Sequence, residues 1–342
     1  MKRRAFLASL GLGAVSVALA DQVNTVVPVS GKNLQFREGK PFRIVQFTDT
    51  HYIPNDKRTT QVDLMIEKAL SEDKPDLAIF TGDCVNNNVM ERGWKRFAEL
   101  CNRYKTPYAA TLGNHDHEGK HSRKSVGAYI SSLPGSLMQT GPADLPGSGN
   151  FTLPIFAPDG KSVRFVLYLM DSQTYAGQSL MRDMKIGGYG WFESVQIEWF
   201  KRQVEAYKKA NGGKPVYSAA FFHIPFPEYT QVWSKGEMKP VGKRNEGVCC
   251  PKLNSGMFHA MLESRSVIST FCGHDHDNGY IGTRFGMGLA YGRFSGGTNT
   301  YQHWENGARI IDIAPDGRSL TTFTHLRSGS YGEKVTLKGR GC

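Results

Sequence analysis

Six short runs of nearly unbroken apolar residues punctuate the chain: FRIVQF (42–47), DLAIF (76–80), PYAATL (107–112), VRFVLYLM (163–170), VYSAAFF (216–222) and VISTFC (267–272). Strands without polar alternation belong inside sheets that are covered on both faces. Between the first two runs, Val62, Met65, Ile66 and Ala69 recur at i, i+3, i+4 and i+7, which predicts a helix with one stripe turned to a core. Trp94, Phe97, Ala98 and Cys101 repeat that stripe between the second and third runs, and residues 195–210 predict another amphipathic helix. Strand and helix in alternation indicate an α/β domain. After residue 285 the pattern changes to Gly-rich segments and a hairpin, ARIIDIAPDGRSLTTFTHL (308–326), turning at Pro315-Asp316-Gly317. Residues 230–256, with scattered Lys, Gly and Pro, predict a long loop or insertion. No repeat, low-complexity tract or linker divides the chain, so one domain over 41–342 is expected.

The polar residues gain meaning from where they fall on that pattern. FRIVQF runs into Asp49 and His51, DLAIF into Gly82-Asp83, and PYAATL into Gly113-Asn114-His115-Asp116. VYSAAFF runs into His223, and VISTFC into Gly273-His274-Asp275-His276. Paired histidines on a polar loop are ordinarily solvated, but five strands each delivering a carboxylate, amide or imidazole at the C-terminal end are another matter. That edge is where open α/β sheets place their sites. Carboxylate and imidazole together suit zinc, manganese or iron, whereas magnesium favours oxygen donors alone. There are too many donors for one ion. Asp49, His51, Asp83 and His276 suit one metal, and Asp83, Asn114, His223 and His274 a second, with Asp83 bridging them. His115 stands beside a ligand without being one, the place of a proton donor to a leaving group.

Composition narrows the class. The chain has 342 residues, 39% hydrophobic and 21% charged, enough to bury a large core. Its start, MKRRAFLASLGLGAVSVALADQ, has a basic head, an apolar stretch and small residues at Ala18 and Ala20, the form of a cleavable export signal over residues 1–20. Arg3-Arg4 followed by Phe6-Leu7 resembles a twin-arginine signal, so a periplasmic or secreted protein is expected. No other apolar run approaches spanning length, and no membrane span is expected in the mature chain. Net charge is +11; only Lys2, Arg3 and Arg4 of that excess lie in the leader, and the remainder favours anionic partners such as phosphates. No basic cluster interleaved with aromatics suggests a nucleic-acid groove. Six cysteines, without zinc-type spacing, permit one or two disulfides in an oxidising compartment.

D-x-H at 49–51, G-D at 82–83, G-N-H-D at 113–116, a lone His223 after a strand and G-H-x-H at 273–276, in that order, resemble the calcineurin-like metallophosphoesterase superfamily. FFHIPFPEY, NSGMFHAMLES and FCGHDHDN are similar to its branch containing the yeast Dcr2-type phosphatases and the plant purple acid phosphatases 28 and 29. The resemblance implies an α+β sandwich, two mixed sheets face to face and flanked by helices, with two metal ions (iron, manganese or zinc, divalent or mixed-valence) at one sheet edge. It implies a phosphoester hydrolase using metal-activated hydroxide, most simply a phosphomonoesterase acting on a phosphorylated small molecule or protein. Alternatives are a phosphodiesterase of nucleotides or lipid head groups, or a protein that binds metal or phosphate without turnover. Two positions depart from related patterns. Purple acid phosphatases proper carry Gly where this chain has His51, and a tyrosine where it has Asn86, so a colourless protein is expected. Protein phosphatases of the superfamily often place an aspartate at that second position to orient the histidine, leaving Asp116 or a backbone carbonyl to orient His115 here.

Overall fold

The computed structural model describes residues 34–177, 183 and 185–340. Residues 1–20, the expected export signal, lie outside the described residues. Among the described residues, fourteen strands form two sheets. The first to appear are β1 (Leu34–Gln35), β2 (Phe42–Phe47), β3 (Leu77–Thr81), β4 (Tyr108–Thr111), β5 (Phe151–Phe156), β6 (Val163–Leu169) and β7 (Ser218–Phe221). There follow β8 (Val241–Arg244), β9 (Val267–Cys272), β10 (Asn278–Arg284), β11 (Met287–Tyr291), β12 (Gly307–Ile313), β13 (Ser319–Leu326) and β14 (Tyr331–Lys338). The main helices are α1 (Thr60–Asp73), α2 (Met90–Arg103), α3 (Arg123–Ser132), α4 (Ser194–Ala210) and α5 (Met257–Ser264).

One sheet runs β14-β13-β12-β2-β3-β4 and the other β1-β5-β6-β7-β9-β11-β10-β8. Both are mixed. The parallel strands β2, β3 and β4 form one group, and β6, β7, β9 and β11 a second.

Alternate residues show why the apolar runs lack polar positions. On β6, Phe165, Leu167 and Leu169 join the core shared by the two sheets, while Val166, Tyr168 and Met170 join a second core beneath helices. On β7, Ala219 and Phe221 face the first core, Ala220 and Phe222 the second. A period of two with both faces covered reads as a continuous apolar run. The helical stripes fill the same cores. Phe97 of α2 stacks on Phe80 of β3 with centroids 5.1 Å apart, and Trp94 meets Phe80 edge-on at 5.5 Å. Phe200 of α4 packs edge-on against Tyr168 at 4.9 Å.

Register aligns the parallel strands at their C-terminal ends. Phe47 pairs with Phe80, Thr81 with Thr111, Leu169 with Phe221, and Phe221 with Phe271. The loops leaving β2, β3, β4, β7 and β9 therefore emerge level with one another. The two edges meet where Gly273 approaches Thr48 so closely that an added Cβ would lie 1.9 Å from its hydroxyl oxygen. Only glycine permits that contact.

The 230–256 segment is more ordered than the expected loop. It contains a helical turn at Val232–Lys235 and the edge strand β8, antiparallel to β10. VGKR carries no buried side chain, so its backbone pairing leaves no hydrophobic trace.

Candidate metal centre

Every candidate ligand sits on the loop just past a strand, and four of them have unusual backbones. Asp49, His51, Asp83 and His274 adopt positive φ, at 55°, 42°, 51° and 81°. Non-glycine residues enter the left-handed region rarely and at a cost of roughly 1–3 kcal/mol, and such residues cluster at functional sites. Hydrogen bonds hold them there. Asp49 N donates to Gly82 O (3.1 Å), His51 N to Asp83 O (2.9 Å), and His274 N to Asp49 Oδ2 (2.9 Å), the last tying the two sheets together.

Two groups of donor atoms converge. Asp49, His51 and His276 form one; Asp83, His223 and His274 form the other, with ligand atoms in each within 4.8 Å of one another. Asn114 belongs beside the second, its Oδ1 3.2 Å from His223 Nε2. The imidazoles are aimed from behind. His223 Nδ1 donates to Thr81 O (2.8 Å), which leaves Nε2 facing Asp83 Oδ2 at 3.0 Å. His276 Nδ1 donates to Tyr301 O (2.9 Å), leaving Nε2 3.6 Å from Asp49 Oδ1. A carbonyl that fixes one ring nitrogen as a donor presents the other as a lone pair, the arrangement behind a metal-binding histidine.

The electrostatics ask for a cation in both places. His51 Nε2 and His276 Nε2 lie 3.2 Å apart, as do His274 Nδ1 and His223 Nε2. Asp49 Oδ1 and His274 Nε2 are buried without a hydrogen-bond partner. Burial lowers His51 to about 4, and it lowers His274 as well, so both rings stay neutral. Burial works against a charge on His223 too, yet the carboxylates of Asp83 and Asp49 raise it to about 10. The neutral rings of His51 and His274, the pull of Asp83 and Asp49 on a positive charge at His223, and the unpartnered Asp49 Oδ1 together fit two metal ions.

His115 leaves the cluster at its mouth, on the rim of a cleft of about 320 Å³ that Asp83, Arg58 and Asn299 also line. Its ring centroid is 5.7 Å from that of His51. Its Nδ1 meets neither Asp116 nor a backbone carbonyl, the two expected partners. Asp116 is buried beneath the loops and accepts hydrogen bonds from Asp83 N (2.9 Å) and Gly113 N (2.7 Å), so it fixes the two backbones and not the ring. Asn86 turns its Oδ1 to Asn88 N (3.1 Å). The ring's partner is Glu118, whose Oε2 lies 2.5 Å from His115 Nδ1. Tyr175 extends the contact: its hydroxyl donates to Glu118 Oε1 (3.1 Å) and accepts from Asn114 Nδ2 (3.2 Å). Burial pulls the His115 pKa down, but the charges of Asp83 and Glu118 outweigh it and raise it.

Sequence reasoning did not find Glu118, Tyr175, Tyr301 or Arg123. Arg123 stands at the start of α3 and donates to the carbonyls of Gly113 (2.5 Å) and Leu112 (3.2 Å) while pairing with buried Asp171 at 2.5 Å, so it clamps the loop carrying Asn114 and His115. Of the other histidines, His259 pairs with Glu263, His303 with Asp277, and buried His325 with Asp73, whereas His117 Nδ1 is buried without a hydrogen-bond partner. Tyr229 is buried with its hydroxyl near Thr270. The five described cysteines are free thiols. Among the described residues, no helix is long and apolar enough to cross a membrane.

The calcineurin-like phosphoesterase family model matches residues 42–278, the stretch that carries every residue of both donor groups. The chain belongs to that family. Within it, the chain is 30% identical to "Probable inactive purple acid phosphatase 29" of Arabidopsis thaliana over 98% of this chain and 92% of that protein. It is 31% identical to "Phosphatase DCR2" of Saccharomyces cerevisiae over 88% of this chain and 56% of that one. The calcineurin-like fold is seen directly in a dimetal phosphatase from Danio rerio, with a TM-score of 0.61 at 13% identity, covering 88% of this chain and 99% of that structure. The branch and the two-sheet architecture expected from the motifs are those observed.

Proposed function

We propose that this calcineurin-like phosphoesterase is an exported, dinuclear-metal phosphomonoesterase. Asp49, His51 and His276 would hold one ion and Asn114, His223 and His274 the other, with Asp83 shared. The mixed carboxylate, imidazole and amide donors suit zinc, manganese or iron. When bound, the ions supply an activated water and neutralise the phosphoryl oxygens.

The chain's own residues account for the rest. His115 Nε2 gives a proton to the departing oxygen, while Nδ1 remains hydrogen-bonded to Glu118. The carboxylate selects the ring orientation and favours its protonated form. Tyr175 ties that carboxylate to Asn114, so proton donor and ligand move as a unit. Asn299 donates from Nδ2 to His51 O (2.8 Å), steadying the opposite rim. The observation that carries this reading is the His115–Glu118 pair at the mouth of two convergent donor groups. A protein that merely retained metal would have no use for an oriented proton donor beside it.

The test is metal analysis of the natively exported protein with a screen of phosphoesters. Monoesters should be cleaved faster than matched bis-aryl diesters. The reverse order would make it a phosphodiesterase, and no turnover with both metals present would make it a binding protein, an outcome in keeping with the word "inactive" in the name of its Arabidopsis relative.

A further inference from the structure

A second charged cavity lies at the other end of the strands. Its volume is about 500 Å³, within the range of small-ligand sites. Five chain segments converge on it, and each brings one cation: Arg164 at the start of β6, Lys214 before β7, Arg265 before β9, Arg318 in the β12–β13 turn and Arg340 after β14. Among the described residues the only carboxylate in its lining is Asp316, which accepts the backbone N–H of Arg318 at 2.9 Å. Among the described residues none of the five cations forms an ion pair. Arg164 donates one nitrogen to Pro315 O (2.8 Å), and Arg340 reaches the carbonyls of Met261 (3.3 Å) and Leu262 (3.4 Å) while its Nε is buried without a partner. Burial and the neighbouring charge of Arg265 lower the Arg340 pKa, so those two guanidinium groups repel each other.

Five like charges gathered in a concave site against one carboxylate raise its potential far above that of scattered surface lysines. The lining excludes a nucleobase platform. Tyr217 is its one aromatic ring, and Gly339 lies so close that an added Cβ would be 2.3 Å from that ring. The metal centre is out of reach: β9 separates the two places by six residues, roughly 20 Å of strand. We infer that this cleft binds a small, densely anionic molecule bearing several phosphate or sulfate groups, at a site separate from the metal edge.

Inositol hexasulfate is the probe, because a phosphoesterase cannot consume it and its sulfates are weak metal ligands. Calorimetry on the full protein should show one molecule bound per chain. Arg265→Gln with Arg318→Gln, both exposed positions, should weaken binding by roughly tenfold or more, with an unchanged thermal melt. Lys201→Gln with Lys208→Gln, whose side chains lie on the solvent side of α4, removes the same charge elsewhere and should leave binding as it was. Equal weakening by both pairs, full binding to the cleft variant, or no binding at millimolar probe would each overturn the assignment.

Discussion

Replacing Glu118 by Gln keeps the length of the side chain while removing the charge that orients His115. A hydrogen bond to a charged partner contributes about 1.5–3 kcal/mol when well protected. Here the His115 side chain is 47% exposed and the Glu118 side chain 43%, and solvent screening at that exposure reduces the contribution to about 1 kcal/mol. If all of it acts in the transition state, kcat falls about fivefold. The loss should depend on the leaving group. An alkoxide from a serine or sugar phosphate needs the proton, and nitrophenolate hardly does, so nitrophenyl phosphate should be nearly unaffected. His115→Asn should cost alkyl phosphates roughly 10²–10⁴-fold, and adding Glu118→Gln to it should cost nothing more, because Gln keeps an acceptor for the Tyr175 hydroxyl and the lost charge acts through the ring. The assay is steady-state turnover of both substrates by wild type, both single variants and the double variant, with metal content measured for each. Multiplying losses in the double variant, or equal losses on both substrates, would refute the pairing.

Other consequences follow from the same contacts. Asp83→Ala should abolish both metals and His51→Ala weaken mainly one, read by elemental analysis of a colourless protein. Gly82→Ala should lower metal content: its φ is 87°, and the new Cβ would sit 2.5 Å from His223 Nδ1 and 2.7 Å from Gly113 N, displacing a ring that the Thr81 carbonyl now aims. Arg123→Ala leaves Asp171, whose side chain is fully buried, without a counter-charge, and should cost about 3–5 kcal/mol in denaturant unfolding. Changing Arg3 and Arg4 together to Lys should strand the precursor in the cytoplasm on fractionation, since the twin-arginine route reads the arginines themselves.

Where burial is two-sided, the sequence announces the fold. The runs read as strands at 42–47 and 267–272 coincide with β2 and β9, and the 308–326 hairpin appears as β12 and β13 around its Pro-Asp-Gly turn. Strands whose apolar runs are short or interrupted left weaker marks, even where they are buried. On β14 only Val335 and Leu337 are buried hydrophobics, and β10 and β11 are interrupted by glycines at 279, 282 and 288. Their place in the sheets comes from backbone pairing with neighbours distant in sequence, and side-chain patterning does not encode it. The basic cleft was illegible for a related reason: its five cations come from five segments, each of which alone reads as one solvated side chain.

The candidate site divides along the same physical line. Asp49, His51, Asp83, Asn114, His223, His274 and His276 could be located from sequence because each directly follows an apolar run, and strand alignment turns that shared position into spatial proximity. The residue orienting His115 obeys no such rule. An aspartate three places after Asp83 would have had to cross between loops; Asn86 instead caps its own turn, and the acidic partner arises inside the loop of His115 itself. That loop turns back so that Glu118 N donates to His115 O at 3.2 Å, bringing side chains three residues apart onto one side. An acidic residue at i+3 from a candidate proton donor is a local signal, carried by the HDHE stretch at 115–118. It becomes decisive only with the turn, because in an extended segment the same spacing would point the two side chains to opposite faces. The chemistry therefore depends on a short irregular loop held from below by Asp116 and from the side by Arg123, and substitutions at those two buried contacts should disturb the proton donor and the neighbouring ligand Asn114 together.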